Sequence, residues 1–125
     1  MNWTCPKCGF PSSELRQLCE GCAHARPLLL TSDETGRELR MNVDTLIGRS
    51  LLGTLGASDA KFASEPQFEV RPDLARGCWT ASHISGAVNA TFLNRVPLTG
   101  VSSLNDGAIL SIGADKLRLV VQFGT

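Results

Sequence analysis

The sequence predicts an all-β protein, a sandwich or barrel preceded by a small metal-held segment. Three observations predict it. From residue 27 onward the chain divides into short apolar runs separated by turn residues, at the spacing of many short strands. No stretch sustains the period of an amphipathic helix. Ahead of these runs, four of the five cysteines fall within the first 22 residues, as two Cys-x-x-Cys pairs.

The pairs are Cys5-Pro6-Lys7-Cys8-Gly9 and Cys19-Glu20-Gly21-Cys22-Ala23, with ten residues between them. A two-residue spacing suits a tight turn that aims both sulfurs at one ion. Pro6 fixes one φ of the first turn, Gly9 supplies the positive φ at which the chain leaves, and Gly21 gives the second turn similar freedom. Four thiolates favour tetrahedral zinc with a filled shell and no open position for a substrate. Iron with the same ligands is the alternative, although Trp3 and Phe10 are the only aromatics at hand. His24, two residues past Cys22, is read as exposed or as a partner of the ligands. The segment resembles a zinc ribbon, and residues 1–26 are too few to bury a core unaided, so one structural zinc ion is expected to hold them.

Pro27 marks the expected boundary of a second domain, residues 27–125. Leu28-Leu29-Leu30 and Glu38-Leu39-Arg40-Met41 read as strands joined by a turn at Asp33-Glu34-Thr35-Gly36. Thr45–Gly48 is a short strand. Leu51–Leu55 has room for a turn of helix, but Gly48, Gly53 and Gly56 argue for loop. Phe68–Arg71 alternates and meets a turn at Pro72-Asp73. Cys78–Ala81 and Thr91–Leu93 are further strands. Asn105-Asp106-Gly107 turns into a strand over Ala108–Ile112, Ala114-Asp115 turns again, and Leu117–Phe123 closes the domain. Trp79 is read as core and Cys78 as a small buried hydrophobe. His83 is read as a surface histidine in a loop.

Composition narrows the function. Apolar residues make up 42% of the 125-residue chain, enough for a packed core and too many for disorder. Twelve basic residues balance twelve acidic ones, which disfavours a nucleic acid partner, whose binding rests on neutralised phosphates. No apolar run has the length of a membrane span, and Met1–Pro6 has no export leader, so a cytoplasmic protein is expected. The Asn-x-Thr sequons at Asn2 and Asn89 are then expected to carry no glycan. No nucleophile–base motif, phosphate-cradling glycine loop or open metal site points to an enzyme.

Four separated segments carry a resemblance. They are Gly48-Arg49, Ser64 with Gln67, Asn89-Ala90-Thr91-Phe92-Leu93-Asn94, and Leu104-Asn105-Asp106-Gly107 leading into Ile109–Gly113. In this order, over about residues 27–124, they resemble a forkhead-associated (FHA) domain, a β-sandwich that binds phosphothreonine peptides through loops at one end. The resemblance implies that Arg49 pairs with the phosphate, its planar fork suiting two oxygens. It implies that Ser64 donates its hydroxyl to the same phosphate and that Asn89 holds the peptide backbone. Gln67, Thr91 and Asn94 would support the loops, Gln67 in place of the family's histidine.

The chain departs from that pattern at four further positions. Glu65 stands where the family carries arginine or another donor, and a carboxylate repels a dianionic phosphate unless it points away. Val88 replaces a small hydroxyl residue. Ala90 and Arg95 replace glycines, and Ala90 is strained if its backbone needs positive φ. Two functions follow as expectations. One is an adaptor that recognises a phosphothreonine-containing protein in Ser/Thr kinase signalling, with the ribbon docking a second protein. The other keeps the fold as a phospho-independent scaffold with a degenerate site. A zinc-ribbon nucleic acid binder is the more distant option.

Overall fold

The structure, a computed structural model, describes residues 2–113 and 116–124. The cysteine segment contains a hairpin of β1 (Asn2–Thr4) and β2 (Pro11–Ser13). The remaining strands are β3 (Leu28–Ser32), β4 (Glu38–Met41), β5 (Thr45–Ile47), β6 (Phe68–Asp73), β7 (Cys78–His83), β8 (Thr91–Leu93), β9 (Val96–Pro97), β10 (Val101–Ser103), β11 (Ile109–Ile112) and β12 (Leu117–Phe123). They form a six-stranded sheet, β4-β3-β12-β11-β8-β9, and a four-stranded sheet, β10-β7-β6-β5. All pairings are antiparallel.

Strand alternation explains the packing. Leu28 and Leu30 of β3, Leu110 and Ile112 of β11, and Leu117, Leu119 and Val121 of β12 are buried on one face of the larger sheet. They share a core with Ile47, Phe68, Val70, Trp79 and Ala81 from the smaller one. Of the residues between them, Arg118 and Gln122 are exposed, Leu29 and Val120 are half-buried, and Ser111 is buried on the opposite face. The expected turns form at Gly36, with φ of 75°, and Gly107, with φ of 84°. The turn expected at Ala114-Asp115 lies outside the described residues.

Several elements differ from the sequence expectation. The β6–β7 ladder runs on to Asp73 paired with Cys78, so Pro72-Asp73 is strand and the turn is displaced to residues 74–77. β7 continues through His83, which is therefore not a loop residue. The Gly48–Gly56 stretch is not all loop: α1 (Arg49–Gly53) buries Leu52, and Leu55 follows it into the core. A 3-10 helix spans Ser58–Phe62, with Glu34 from the β3–β4 turn accepting the N–H of Ser58 at 3.1 Å. Burial of single residues, Leu52 and Leu55 around α1 and Ala60 in the 3-10 helix, holds these turns in place rather than a helical period. Among the described residues no helix is long and apolar enough to cross a membrane.

The cysteine segment is bonded into the sandwich. Buried Gln17 donates to the Leu104 carbonyl and accepts the Trp79 N–H, each at 2.6 Å. The Arg26 guanidinium donates to the Gly124 carbonyl at 2.8 Å and lies 5.5 Å from the centre of the Trp3 ring. The Arg26 carbonyl in turn accepts the indole N–H of Trp79 at 2.8 Å. Gly77, with φ of 69°, lets the Arg16 guanidinium lie where a side chain would otherwise stand.

Candidate functional site

The four clustered cysteines converge. Their sulfurs all lie within 4.8 Å of one another. A zinc–thiolate bond of about 2.3 Å places tetrahedral sulfurs about 3.8 Å apart. Here Cys5 and Cys22 are 3.7 Å apart, and Cys8 and Cys19 are 3.6 Å apart. The donor set therefore fits one four-thiolate metal ion. The two turns are near copies: the N–H of Gly9 bonds the Cys5 carbonyl at 2.8 Å, and that of Ala23 bonds the Cys19 carbonyl at 2.9 Å.

The sequence misassigned one glycine. Ala23, with φ of 65°, makes the positive-φ exit that Gly9 makes with 78°. Gly21 is required for space instead, since a Cβ there would lie 2.9 Å from the Phe10 ring. Burial pushes the Cys19 thiol up, but N–H groups of Cys22 and Gly21 and the facing sulfurs of Cys8 and Cys5 outweigh it and bring it down to about 6. A thiol so placed is readily deprotonated for a metal. Trp3 and the buried sulfurs of Cys5 and Cys19 form the segment's own small core.

The second set of residues meets on one rim of the sandwich, where the β5–β6 segment, the β7–β8 loop and the start of β8 come together. Arg49 and Ser64 are joined through the backbone: the Arg49 N–H bonds the Ser64 carbonyl at 3.1 Å, and Arg49 Nε bonds the Ala63 carbonyl at 3.0 Å. Ser64 Oγ accepts the Val88 N–H at 2.9 Å. Val88 thus contributes its backbone, while its side chain is 88% exposed.

Gln67 joins these loops. It is fully buried. Its Oε1 accepts the Ser64 N–H at 2.8 Å, and its Nε2 donates to the Asn89 carbonyl at 2.7 Å and to Thr91 Oγ1 at 3.0 Å. Its backbone bonds Ile47 and Ile84 as well. Thr91 Oγ1 also lies 2.8 Å from His83 Nδ1. With Gln67 donating to that hydroxyl, the Thr91 proton is available to the ring nitrogen. His83 is a supporting residue that sequence reasoning missed, because its partner is a cross-loop hydroxyl rather than a near neighbour.

Asn89 Nδ2 donates to the Phe62 carbonyl at 2.7 Å, tying the 3-10 helix to the β7–β8 loop. The Phe62 ring has Lys116 Nζ 4.7 Å and Lys61 Nζ 5.5 Å from its centre. This basic, half-aromatic patch beside Asn89 was also missed, since its members come from unrelated segments. Asn94 sits farther along, its Oδ1 accepting the Ile109 N–H at 2.9 Å. Ala90 has no positive φ; Arg95 does, at 69°, next to Asn94 at 50°. The strain expected at Ala90 falls on Arg95.

Glu65 does not point away from this rim. Its carboxylate accepts the Ser50 N–H at 2.7 Å. The Ser50 hydroxyl and N–H, with the Arg49 charge beyond them, hold the Glu65 carboxyl below its ordinary value.

No protein-family model matches the chain, and no curated protein matches it. Solved structures do. An FHA domain studied for phosphothreonine-dependent interactions is 20% identical with a TM-score of 0.59, covering 79% of this chain and 98% of that one. The FHA domain of an Arabidopsis thaliana hypothetical protein is 23% identical with a TM-score of 0.62, covering 80% and 87%. Mycobacterium tuberculosis EmbR, solved with a low-affinity phosphopeptide, is 16% identical with a TM-score of 0.63; the match covers 87% of this chain and 27% of EmbR. The protein therefore has the fold of a forkhead-associated domain. Its β-sandwich carries, at the N-terminal end, a four-cysteine cluster fit for a metal ion.

Proposed function

We propose that this protein is a phosphothreonine-dependent adaptor, a binding module rather than a catalyst, that acts in Ser/Thr kinase signalling. The carrying observation is that the backbone and guanidinium of Arg49 bond the Ser64 and Ala63 carbonyls, which brings Arg49 beside Ser64 on the loop rim of an FHA-type sandwich. In this reading the Arg49 guanidinium takes the phosphate with its remaining N–H donors. Ser64 Oγ already accepts from Val88, so its proton turns outward to the phosphate. The Asn89 amide nitrogen is engaged by Phe62, which leaves its carbonyl oxygen to accept a peptide N–H. Gln67, Thr91 and Asn94 hold these loops.

Residues 1–26 form the second unit of this reading, a zinc ribbon with Cys5, Cys8, Cys19 and Cys22 as ligands to one structural zinc, and residues 27–125 form the FHA domain. The ribbon would dock a second protein, because its three basic residues, Lys7, Arg16 and Arg26, stand against Glu14 and Glu20 and leave little net charge for a nucleic acid. Free thiolates held for a metal fit a reducing compartment, the cytoplasm.

A phospho-independent interaction module is the second reading, favoured by one observation: the Glu65 carboxylate already occupies the Ser50 N–H beside Arg49. Titration with a degenerate phosphothreonine peptide pool and its unphosphorylated counterpart separates the two. The adaptor binds the phosphorylated pool preferentially, and Arg49→Ala weakens that binding about tenfold or more, the worth of a charge-assisted contact. Equal binding of both pools establishes the second reading in its place.

A further inference from the structure

Glu65 is an acidic side chain turned into the rim, and its placement is specific. A Cβ at Gly48 would overlap its carboxylate, so the side chain lies directly on the Gly48–Ser50 backbone. Oε1 takes the Ser50 N–H at 2.7 Å, and the Ser50 hydroxyl supplies another donor. Arg49 lies between these residues and contributes positive charge without a direct ion pair. A carboxylate and a phosphate monoester are both oxyanions that use such donors.

We infer that Glu65 is an internal competitor for the phosphate: its carboxylate covers the Ser50 donors beside Arg49, and a phosphothreonine engages the rim only when Glu65 swings out. The inference rests on the phosphothreonine reading of the site. The displacement is local. Glu65 is exposed, and the hydrogen bonds its carboxylate makes go to Ser50 alone. Ser64 and Gln67 on either side are fixed by the network through Val88, Asn89 and Thr91, which does not include the Glu65 side chain.

A specificity follows from the exchange. A ligand carboxylate replacing the Glu65 carboxylate trades one single charge for another and gains little. A phosphate near its full charge of −1.5 to −2 brings additional charge and oxygens to Arg49 and Ser64. The site is therefore selective against aspartate or glutamate standing in for phosphothreonine.

The test uses the full chain and its Glu65→Gln and Glu65→Ala variants. Each is titrated with the phosphothreonine peptide pool and with pools carrying glutamate at the same position. Unfolding midpoints are measured in parallel. The Gln variant keeps an acceptor for the Ser50 N–H and removes the charge. Should the Ala variant fold poorly, the Gln variant carries the comparison. Competition predicts that both variants bind the phosphorylated pool about tenfold tighter, equivalent to the loss of one charge-assisted bond from the closed state. It also predicts that they acquire measurable binding to the glutamate pool. Unchanged or weaker binding by the variants, beside phospho-selective binding by the native chain, reduces Glu65 to a cap on α1 and overturns the inference alone. Absence of binding by all three proteins overturns the phosphothreonine reading and the inference with it.

Discussion

The cysteine segment and the loop rim are two sites built by opposite means. The cysteine site is local: two turns of near-identical geometry bring four sulfurs within 4.8 Å, and the hydrogen bonds of those turns fall within residues 5–24. The rim is non-local: Arg49, Ser64 and Asn89 come together around fully buried Gln67, which bonds Ser64 in its own segment and Asn89 and Thr91 across the rim. A local site depends on its ligands and can be removed whole. A non-local site depends on the residue that joins its loops, and its ligand contacts can fail while the fold survives.

The largest effect should come from removing the metal site, which tests how far that region is independent. Cys5→Ser with Cys19→Ser is expected to abolish stoichiometric metal, read by elemental analysis, and to unfold residues 2–26, since structural zinc sites contribute about 10–16 kcal/mol of folding free energy. The sandwich should also weaken. Gln17 satisfies the Trp79 N–H and the Leu104 carbonyl in a buried setting. Losing it costs about 2 kcal/mol, or a fall on the order of 10 °C in Tm. A sandwich transition that stays in place would show that the bonds through Gln17 and Arg26 do not couple the two regions.

Gln67→Ala probes the rim in the same way. The substitution strands the Ser64 N–H and the Asn89 carbonyl, both partly buried, and leaves the Thr91 hydroxyl with His83 alone. The expected loss is about 3 kcal/mol in urea unfolding, with metal content unchanged. Phosphopeptide affinity should fall as well, because Ser64 and Asn89 lose their common anchor. A loss of stability with no loss of affinity would assign Gln67 to the core rather than to the site.

The contrast also decides what the sequence could disclose. The cysteine ligands are legible because Cys-x-x-Cys spacing is itself the geometry. β3 is legible as a run of three leucines bounded by turn residues, and β12 because its seven residues are mostly apolar and begin with an alternating Leu-Arg-Leu. α1 and the 3-10 helix are not, because each is five residues long and is fixed by contacts from elsewhere, Leu52 in the core and Glu34 on Ser58. β9 and β10 are short, largely exposed strands at the sheet edges with no pattern to read. At the rim, the positions of Arg49, Ser64 and Asn89 were legible, but the direction of Glu65 was not. Sequence places a carboxylate in a loop; only the backbone of Gly48 and the Ser50 N–H say where it turns. Gln17 is hidden for a related reason, since a polar residue gives no sign that its partners lie some sixty to ninety positions away.

The smallest effect falls at the far end of the β8–β9 turn, where the chain tolerates strain that serves no rim contact. Asn94 and Arg95 both have positive φ, at 50° and 69°. Asparagine accepts that region more readily than other side chains and here uses its Oδ1 to bond Ile109. Arginine has no such compensation: its side chain lines a groove with Asp33 and Arg118, which are already paired at 2.6 Å. Arg95→Gly should therefore raise stability by about 1 kcal/mol, the cost of a left-handed residue with a Cβ. That gain is about 4–8 °C in Tm for a domain of this size. Metal content and phosphopeptide affinity should both stay where they are. If affinity falls with the charge while stability rises, Arg95 belongs to the binding surface, and the rim extends past Asn89 to the β8–β9 turn.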